Sequence, residues 1–149
     1  AFQSHVVHAV FAYGTLRGDY GPSGDRWGVV EKYGAAWQIC QVPGFRLYQG
    51  EGLFYPFAVR TGSDEDRITG TLLQFPDEGA AREAVMQCDR IEGFDPARPE
   101  DGLYRRAVVQ VRLPEREVLA FLYHQPLPDT PARFFPRGDW LEPAAPPDP

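Results

Sequence analysis

Residues 68–93 read ITGTLLQFPDEGAAREAVMQCDRIEG. The run from Ile68 to Phe75 is rich in β-branched and apolar side chains, which predicts a strand. Asp77 is a suitable N-cap for a helix after this strand. Glu78 suits the first turn of that helix because it lies near the positive end of the helix dipole. The stretch therefore predicts a strand followed directly by a helix.

Apolar residues recur at helical spacing after Glu78, at Ala80, Ala81, Ala84, Val85 and Cys88. This period predicts a helix over residues 78 to about 90. Gly93 is a suitable stop signal, because glycine adopts the left-handed conformation that commonly ends a helix.

Short strands are predicted on both sides of this unit, where apolar runs alternate with turn residues. They are Val6–Tyr13, Ala35–Cys40, Phe45–Tyr48, Phe57–Arg60, Tyr104–Leu113 and Val118–His124. The segment Arg17–Gly28 is rich in Gly, Asp and Pro and predicts a loop. Six or seven strands and one main helix predict an α+β fold with a largely antiparallel, barrel-like sheet.

The predicted strand Tyr104–Leu113 has a clear two-residue period. Its apolar residues Ala107, Val109, Val111 and Leu113 share one face. Tyr104 and Arg106 are expected on the opposite face.

The chain of 149 residues is long enough for one domain with a substantial core. We expect a single domain over residues 1–142 and a disordered tail over residues 143–149, which contain four prolines. The two cysteines, Cys40 and Cys88, show no disulfide-framework spacing and are expected to be reduced and buried.

Charge and hydropathy disfavour two classes of partner. The formal net charge is -6, and the 15 Lys and Arg residues are scattered rather than clustered. We therefore expect no nucleic-acid partner and no membrane association. The longest apolar run, Val6–Tyr13, is too short to span a bilayer and lacks the features of a signal peptide. A cytoplasmic protein is expected.

Several common catalytic motifs are missing from the sequence. There is no GxSxG elbow, no phosphate loop ending in Lys-Ser/Thr and no GxGxxG fingerprint. His5 and His8 are three residues apart, which places them on opposite faces of a strand. The sequence thus predicts no metal site and no cofactor, and gives little support to a Ser or Cys nucleophile.

One candidate segment is Tyr13-Gly14-Thr15-Leu16, at the end of the first predicted strand. Glycine lets the backbone turn sharply and approach a ligand closely. Successive exposed amides at such a place can form an anion-binding nest. An ordinary turn at a strand end is the alternative interpretation.

The other candidate segment is Asp89–Phe94, at the predicted helix end. Glu92 stands between Ile91 and Gly93, and a partly apolar setting would suit a carboxyl group that transfers protons near neutrality. A solvated carboxylate at a helix end is the alternative. Asp89 and Glu92 share a helix face if the helix extends that far, as a like-charge pair or as two solvated groups.

These segments together resemble the γ-glutamylcyclotransferase-like (AIG2-like) family, in the form of its short bacterial-type members. The family begins with Tyr-Gly-Ser/Thr-Leu, present here as Tyr13 to Leu16. It continues with Asp-x-x-Glu-Gly, present as Asp89 to Gly93, and with Tyr-x-Arg-x-x-Val-x-Val, present from Tyr104. A strand ending in an aromatic residue, Val118–Tyr123, follows in the expected order. The resemblance covers about residues 6–142.

The resemblance implies a small mixed barrel with helices beside it and an enzyme that needs no cofactor. Such an enzyme cyclises a γ-glutamyl amide to 5-oxoproline and releases a free amine. Backbone amides around Gly14, Thr15 and Leu16 would hold the glutamyl end, and Glu92 would be the acid and base. Tyr13 belongs to the same substrate-binding segment.

Tyr104 and Tyr123 correspond to pocket-lining positions, and Asp89 is expected to be structural. A non-catalytic domain that binds γ-glutamyl or amino-acid-like metabolites, or a protein, remains the alternative. The sequence does not identify the amine, and it leaves a monomer and a homodimer both open.

Overall fold

The structure is a computed structural model that describes residues 7–20 and 27–142. Over these residues the chain forms eight strands and two helices. The helices are α1 (Trp27–Glu31) and α2 (Glu78–Glu92). The strands are β1 (Ala9–Ala12), β2 (Ala36–Pro43), β3 (Phe45–Gly50), β4 (Phe57–Arg60), β5 (Arg67–Gln74), β6 (Arg105–Arg112), β7 (Glu117–His124) and β8 (Ala132–Phe135).

The larger sheet has five strands in the order β2-β5-β1-β7-β6. The pair β1 and β7 is parallel, with Val10 level with Phe121, and the other pairs are antiparallel. The outer strands β2 and β6 approach each other, so the sheet curls into a half-barrel. The predicted α+β fold with a largely antiparallel, barrel-like sheet is confirmed.

Alternate residues of the curled sheet face two different layers. On β1, Ala9 and Phe11 face the interior of the half-barrel, whereas Val10 and Ala12 belong to the layer that includes helix α2. On β6, Val109 and Val111 also face the interior, as their two-residue period predicts. The end of β1 therefore lies between the barrel core and the helix layer.

Helix α2 has the predicted start. The Asp77 carboxylate accepts a hydrogen bond from the backbone N–H of Ala80 at 2.8 Å. The helix buries Ala81, Ala84 and Cys88, and Cys88 packs in the same apolar layer as Val10 and Leu73 of the sheet. It extends to Glu92, two residues beyond the predicted end.

The sequence interpretation missed two short elements, and several strand bounds differ from the predicted ones, among them β1, which covers Ala9–Ala12. Helix α1 begins at Trp27, inside the segment predicted as a loop, and β8 was not predicted at all. Both elements are short and lack a clear period: α1 has five residues and buries Val30, and β8 has four. Their conformations depend on tertiary contacts, since α1 packs on α2 and β8 pairs with β3. Strand β2 also extends to Pro43.

The second sheet closes the interior of the half-barrel. Its order is β4-β3-β8, and Phe45, Leu47 and Phe135 join the same core as the larger sheet. In the part of the chain that the structure describes, no helix has the length and hydropathy to cross a membrane. Residues 1–6, 21–26 and 143–149, including His5 and the predicted tail, lie outside the described residues.

A buried arginine fixes the loop that follows β1. Arg17 is 2 % exposed and donates hydrogen bonds to both carboxylate oxygens of Asp19, at 2.8 and 2.6 Å. It also donates to Asp139 at 2.6 Å. These bonds lower the pKa of the Asp19 carboxyl below its usual value. The ion pairs therefore tie the loop after β1 to the segment after β8.

Replacing Arg17 with Met should strongly destabilise the fold, because Asp19 and Asp139 lose their shared partner. We expect the free energy of unfolding at pH 7 to fall by about 2–4 kcal/mol, as is typical when one side of a buried charged interaction is removed. Urea unfolding of both proteins measures the difference. The difference should shrink below about pH 4, because the contribution of Asp19 is lost as the pH falls through its lowered pKa.

The matched control is Arg112→Met. The Arg112 side chain is 84 % exposed in its ion pair with Glu117, and exposed pairs contribute no more than about 1 kcal/mol. Equal losses in the two variants would contradict an anchoring role for Arg17.

Candidate active site

A pocket of about 280 Å³ lies where the end of β1 meets the C-terminal end of α2. Five parts of the chain line it: residues 10–16, residues 55–56, residues 90–93, residues 103–104 and Tyr123. The volume is at the small end of the range for ligand pockets, which suits a small metabolite.

The structure brings together all seven site residues that the sequence analysis names. They are Tyr13, Gly14, Thr15, Leu16, Glu92, Tyr104 and Tyr123. Other residues of the wall were not predicted, among them Tyr55, Pro56 and Arg90. Tyr55 and Pro56 precede a short strand in an irregular segment, and no local pattern marks them. Arg90 lies within the Asp-x-x-Glu-Gly segment, two residues before Glu92, and this proximity in sequence could have indicated it.

The backbone at Glu92 is fixed by the way α2 ends. Gly93 has φ 68° and ψ 29°, a left-handed conformation that glycine adopts without strain. Its N–H donates to the carbonyl of Arg90 at 3.3 Å, and the N–H of Phe94 donates to the carbonyl of Asp89 at 2.8 Å. This pair of bonds is the Schellman motif. It holds Glu92, which is half-buried, at the last position of the helix.

The segment after β1 makes a tight turn against Pro56. The N–H of Arg17 donates to the carbonyl of Gly14 at 3.0 Å. A Cβ atom added to Gly14 would lie 3.0 Å from both Cγ and Cδ of Pro56. Gly14 is therefore required by close packing rather than by an unusual φ angle. Both residues lie in the pocket wall.

A chain of buried hydrogen bonds connects the two sides of the pocket. The Asp89 carboxylate accepts from the Tyr123 hydroxyl at 2.6 Å and from Arg106 at 2.8 Å. The carbonyl oxygen of Tyr123 accepts from the Tyr13 hydroxyl at 2.6 Å. Asp89 is 5 % exposed, so it is not a solvated carboxylate. Since both of its oxygens accept hydrogen bonds, it is not an unpaired one either.

The two linked phenols are neutral hydrogen-bond donors. Burial raises the pKa of Tyr13 well above its usual value, and the nearby Tyr104 and Glu92 raise it further. Burial also raises the pKa of Tyr123, with additional contributions from Cys88 and from the hydrogen bond to Asp89. Both hydroxyl groups stay protonated at physiological pH, so neither of them is a general base.

The chemistry available in the pocket is proton transfer to or from a small polar molecule. Glu92 is the carboxylate of the wall, and Arg90 is a cation in the same wall. Within residues 7–20 and 27–142, no group of three or more His, Cys, Asp and Glu side chains could hold a metal ion. The shape and the donor set define a small α+β domain with a single-carboxylate pocket.

The fold is of the γ-glutamyl cyclotransferase type. The sequence model of the γ-glutamyl cyclotransferase, AIG2-like family matches residues 10–142, and the chain belongs to this family. The resemblance inferred from the motifs is therefore confirmed. No curated protein matches the sequence.

Solved structures share the fold at low sequence identity. An AIG2-like protein from Mus musculus has a TM-score of 0.57 and 19% identity, over 94% of this chain and 98% of that chain. An uncharacterised protein from Homo sapiens has a TM-score of 0.58 and 18% identity, over 87% and 72%. An uncharacterised protein from Pyrococcus horikoshii has a TM-score of 0.52 and 18% identity, over 89% of each chain.

The thiol of Cys88, beside the pocket residues of α2, should be inert in the folded protein. Burial raises its pKa to about 12, with further contributions from Glu92 and Asp89. At pH 8 only about one thiol in 10⁴ would be the reactive thiolate. Alkylation by iodoacetamide, followed by peptide mass analysis, should label Cys88 only after unfolding in urea.

Cys40 provides an internal comparison. It is half-buried, not buried as the sequence predicted. Burial still raises its pKa to about 11, so it should react slowly but faster than Cys88. Rapid labelling of Cys88 in the native protein would contradict its buried, unreactive state.

Proposed function

We propose that this protein is a γ-glutamyl cyclotransferase that converts a γ-glutamyl amide to 5-oxoproline and a free amine. The observation that carries the proposal is the placement of Glu92 and the Gly14 turn in the walls of one small pocket. Family membership supports the same class of reaction.

The substrate of such a reaction carries its own nucleophile. The α-amine nitrogen attacks the γ-carbonyl carbon, a new C–N bond closes the five-membered ring, and the original amide C–N bond breaks. The enzyme gains most of its advantage by folding the substrate so that amine and carbonyl meet. No protein nucleophile is needed.

Two proton movements remain, and one carboxylate can perform both. Glu92 would take a proton from the α-ammonium group as the new bond forms. It would then deliver that proton to the nitrogen of the leaving amine. This double role requires a group that the protein holds within hydrogen-bond reach of both nitrogens. The helix-end geometry of Glu92 provides a fixed backbone for such a group.

The substrate's other charged group also needs a partner. Backbone amides of Gly14, Thr15 and Leu16 would hold the glutamyl end at the turn after β1. Arg90 is a cation in the same wall, and a substrate carboxylate is a suitable ligand for its guanidinium group. Tyr104 and Tyr123 would fill the apolar side of the pocket.

The expectations about substrate, cofactor, location and oligomeric state become part of this proposal. We propose a small-molecule substrate, no cofactor, and a cytoplasmic monomer or homodimer. A non-catalytic domain that binds the same metabolites is the competing outcome, and catalysis distinguishes the two.

Glu92→Gln should abolish most of the activity. The amide is nearly isosteric but cannot take up the proton, and general acid–base catalysis contributes about 10²–10⁴-fold, so kcat should fall by that order. KM should change little, because the lost interaction is used in the transition state. The measurement is 5-oxoproline release from a panel of γ-glutamyl substrates, in the presence of a chelator and without added cofactor.

Glu83→Gln is the matched control, since Glu83 lies on the exposed side of the same helix. It should keep normal kcat. No 5-oxoproline release by the wild type, with substrate binding intact in calorimetry, would favour the binding domain. Full turnover by Glu92→Gln would reject its role in proton transfer.

Gly14→Val should weaken substrate binding. A Cβ at this position presses on Pro56 in the opposite part of the wall, so the turn or the proline must shift. We expect KM to rise about tenfold or more, in line with the loss of one or two well-placed hydrogen bonds.

Gly28→Val is the control for Gly14→Val, because a Cβ at Gly28 has open space around it. Circular dichroism verifies folding of both variants. A normal KM in folded Gly14→Val would exclude the turn as the substrate cradle.

A further inference from the structure

Asp89 lies one helical turn before Glu92, yet it faces a different environment. It is 5 % exposed, and both of its carboxylate oxygens accept hydrogen bonds from strands of the larger sheet. Tyr123 comes from β7 and Arg106 from β6. Asp89 therefore joins the last turn of α2 to two neighbouring strands.

The arginine of this group is itself held in place. The Arg106 guanidinium lies 4.2 Å from the ring centroid of Phe121 and 4.9 Å from that of Phe94. Both rings attract the cation and limit its motion. Phe94 is also the residue whose N–H donates to the Asp89 carbonyl at 2.8 Å. The side chain and the backbone of Asp89 are thus fixed by the same cluster.

We propose that Asp89 is a positioning residue for Glu92, acting through its hydrogen bonds to Tyr123 and Arg106. The proposal rests on the proposed cyclotransferase function. Asp89 is not part of the pocket wall, so it acts on the substrate only through the helix end that it holds.

A further hydrogen bond connects this cluster to the other wall of the pocket. Tyr123 accepts a hydrogen bond from Tyr13 through its backbone carbonyl, and Tyr13 directly precedes Gly14. One continuous path therefore runs from the helix turn of Glu92 to the turn that would hold the glutamyl end. This path sets the separation between the proton-transfer group and the substrate cradle.

A change in this separation should lower kcat more than it weakens substrate binding. A misplacement of about 1 Å by a change outside the reacting groups can cost about 10²-fold in rate. When the separation changes in this way, the same side chains still line the pocket. A purely structural role would instead lower the stability and weaken substrate binding.

Two variants test the cluster: one removes a single donor, and the other changes the acceptor that both donors share. Tyr123→Phe removes only the hydroxyl that donates to Asp89. Asp89→Asn keeps the shape but removes the negative charge opposite Arg106, and its N–H group can only face the Tyr123 hydroxyl, which then loses its carboxylate acceptor. In each variant we expect kcat for 5-oxoproline release to fall about 10- to 100-fold, with KM within about threefold of wild type.

Matched substitutions outside the pocket control for the loss of a hydroxyl and of a charge. Tyr48→Phe removes a hydroxyl from a ring that stacks on Phe57. Asp66→Asn removes the carboxylate that Arg46 contacts at 2.9 Å. Both should keep normal kcat and KM.

The decisive measurement repeats each change in the Glu92→Gln background. If Asp89 acts through Glu92, Tyr123→Phe should lower the residual kcat by less than about twofold there, because the group it positions is already disabled. Calorimetry with the substrate on Glu92→Gln and on Glu92→Gln/Tyr123→Phe should give dissociation constants within about threefold of each other.

The outcomes separate this inference from the function on which it rests. If the wild type releases no 5-oxoproline, the proposed function fails and the inference fails with it. If the wild type is active and Glu92→Gln is not, but Tyr123→Phe and Asp89→Asn turn over normally, the inference alone is wrong. Equal losses in both backgrounds, or weakened binding in calorimetry, would assign Asp89 a structural role only and overturn the inference.

Discussion

The Asp89 carboxylate, with Tyr123 and Arg106 as its donors, holds the C-terminal turn of α2 against the sheet. A buried carboxylate is stable only where charged or polar donors replace the water it loses, and here both oxygens have such a donor. This contact acts together with the packing of Val85, Cys88 and Phe94 to fix the position of the helix end. The pocket exists because that helix end and the turn after β1 are held on opposite sides of it.

The parallel pairing of β1 and β7 makes this arrangement possible. The strands β1 and β7 are parallel neighbours, so the turn after β1 and the aromatic end of β7 emerge at the same edge. Tyr13 then reaches the carbonyl of Tyr123. Arg17 anchors the continuation of the same turn to Asp139. The turn that would hold a substrate is thus fixed at both ends by contacts between residues more than 100 positions apart in the chain.

The sequence predicts the parts of this fold that local chemistry dictates. Strand β5 and helix α2 follow from an apolar run, an N-cap at Asp77 and a stop at Gly93. Helix α1 and strand β8 do not, because they are short and depend on α2 and β3 for their stability. The site residues were predicted from motif order, not from periodicity. The Asp89–Arg106 contact and the packing of Pro56 on Gly14 escaped prediction, since they depend on how distant segments meet.

Glu92 departs from the local rules of helix stability. The C-terminal end of a helix is the negative end of its dipole, where a cationic side chain is favoured and a carboxylate is not. A second carboxylate, Asp89, lies in the same turn. Residues that violate local preference without a gain in stability concentrate at functional sites. The surrounding contacts compensate for this placement: Arg106 balances Asp89, and the backbone bonds at Gly93 and Phe94 fix the turn. The protein can therefore hold a carboxylate in its pocket wall at a position that charge alone would disfavour.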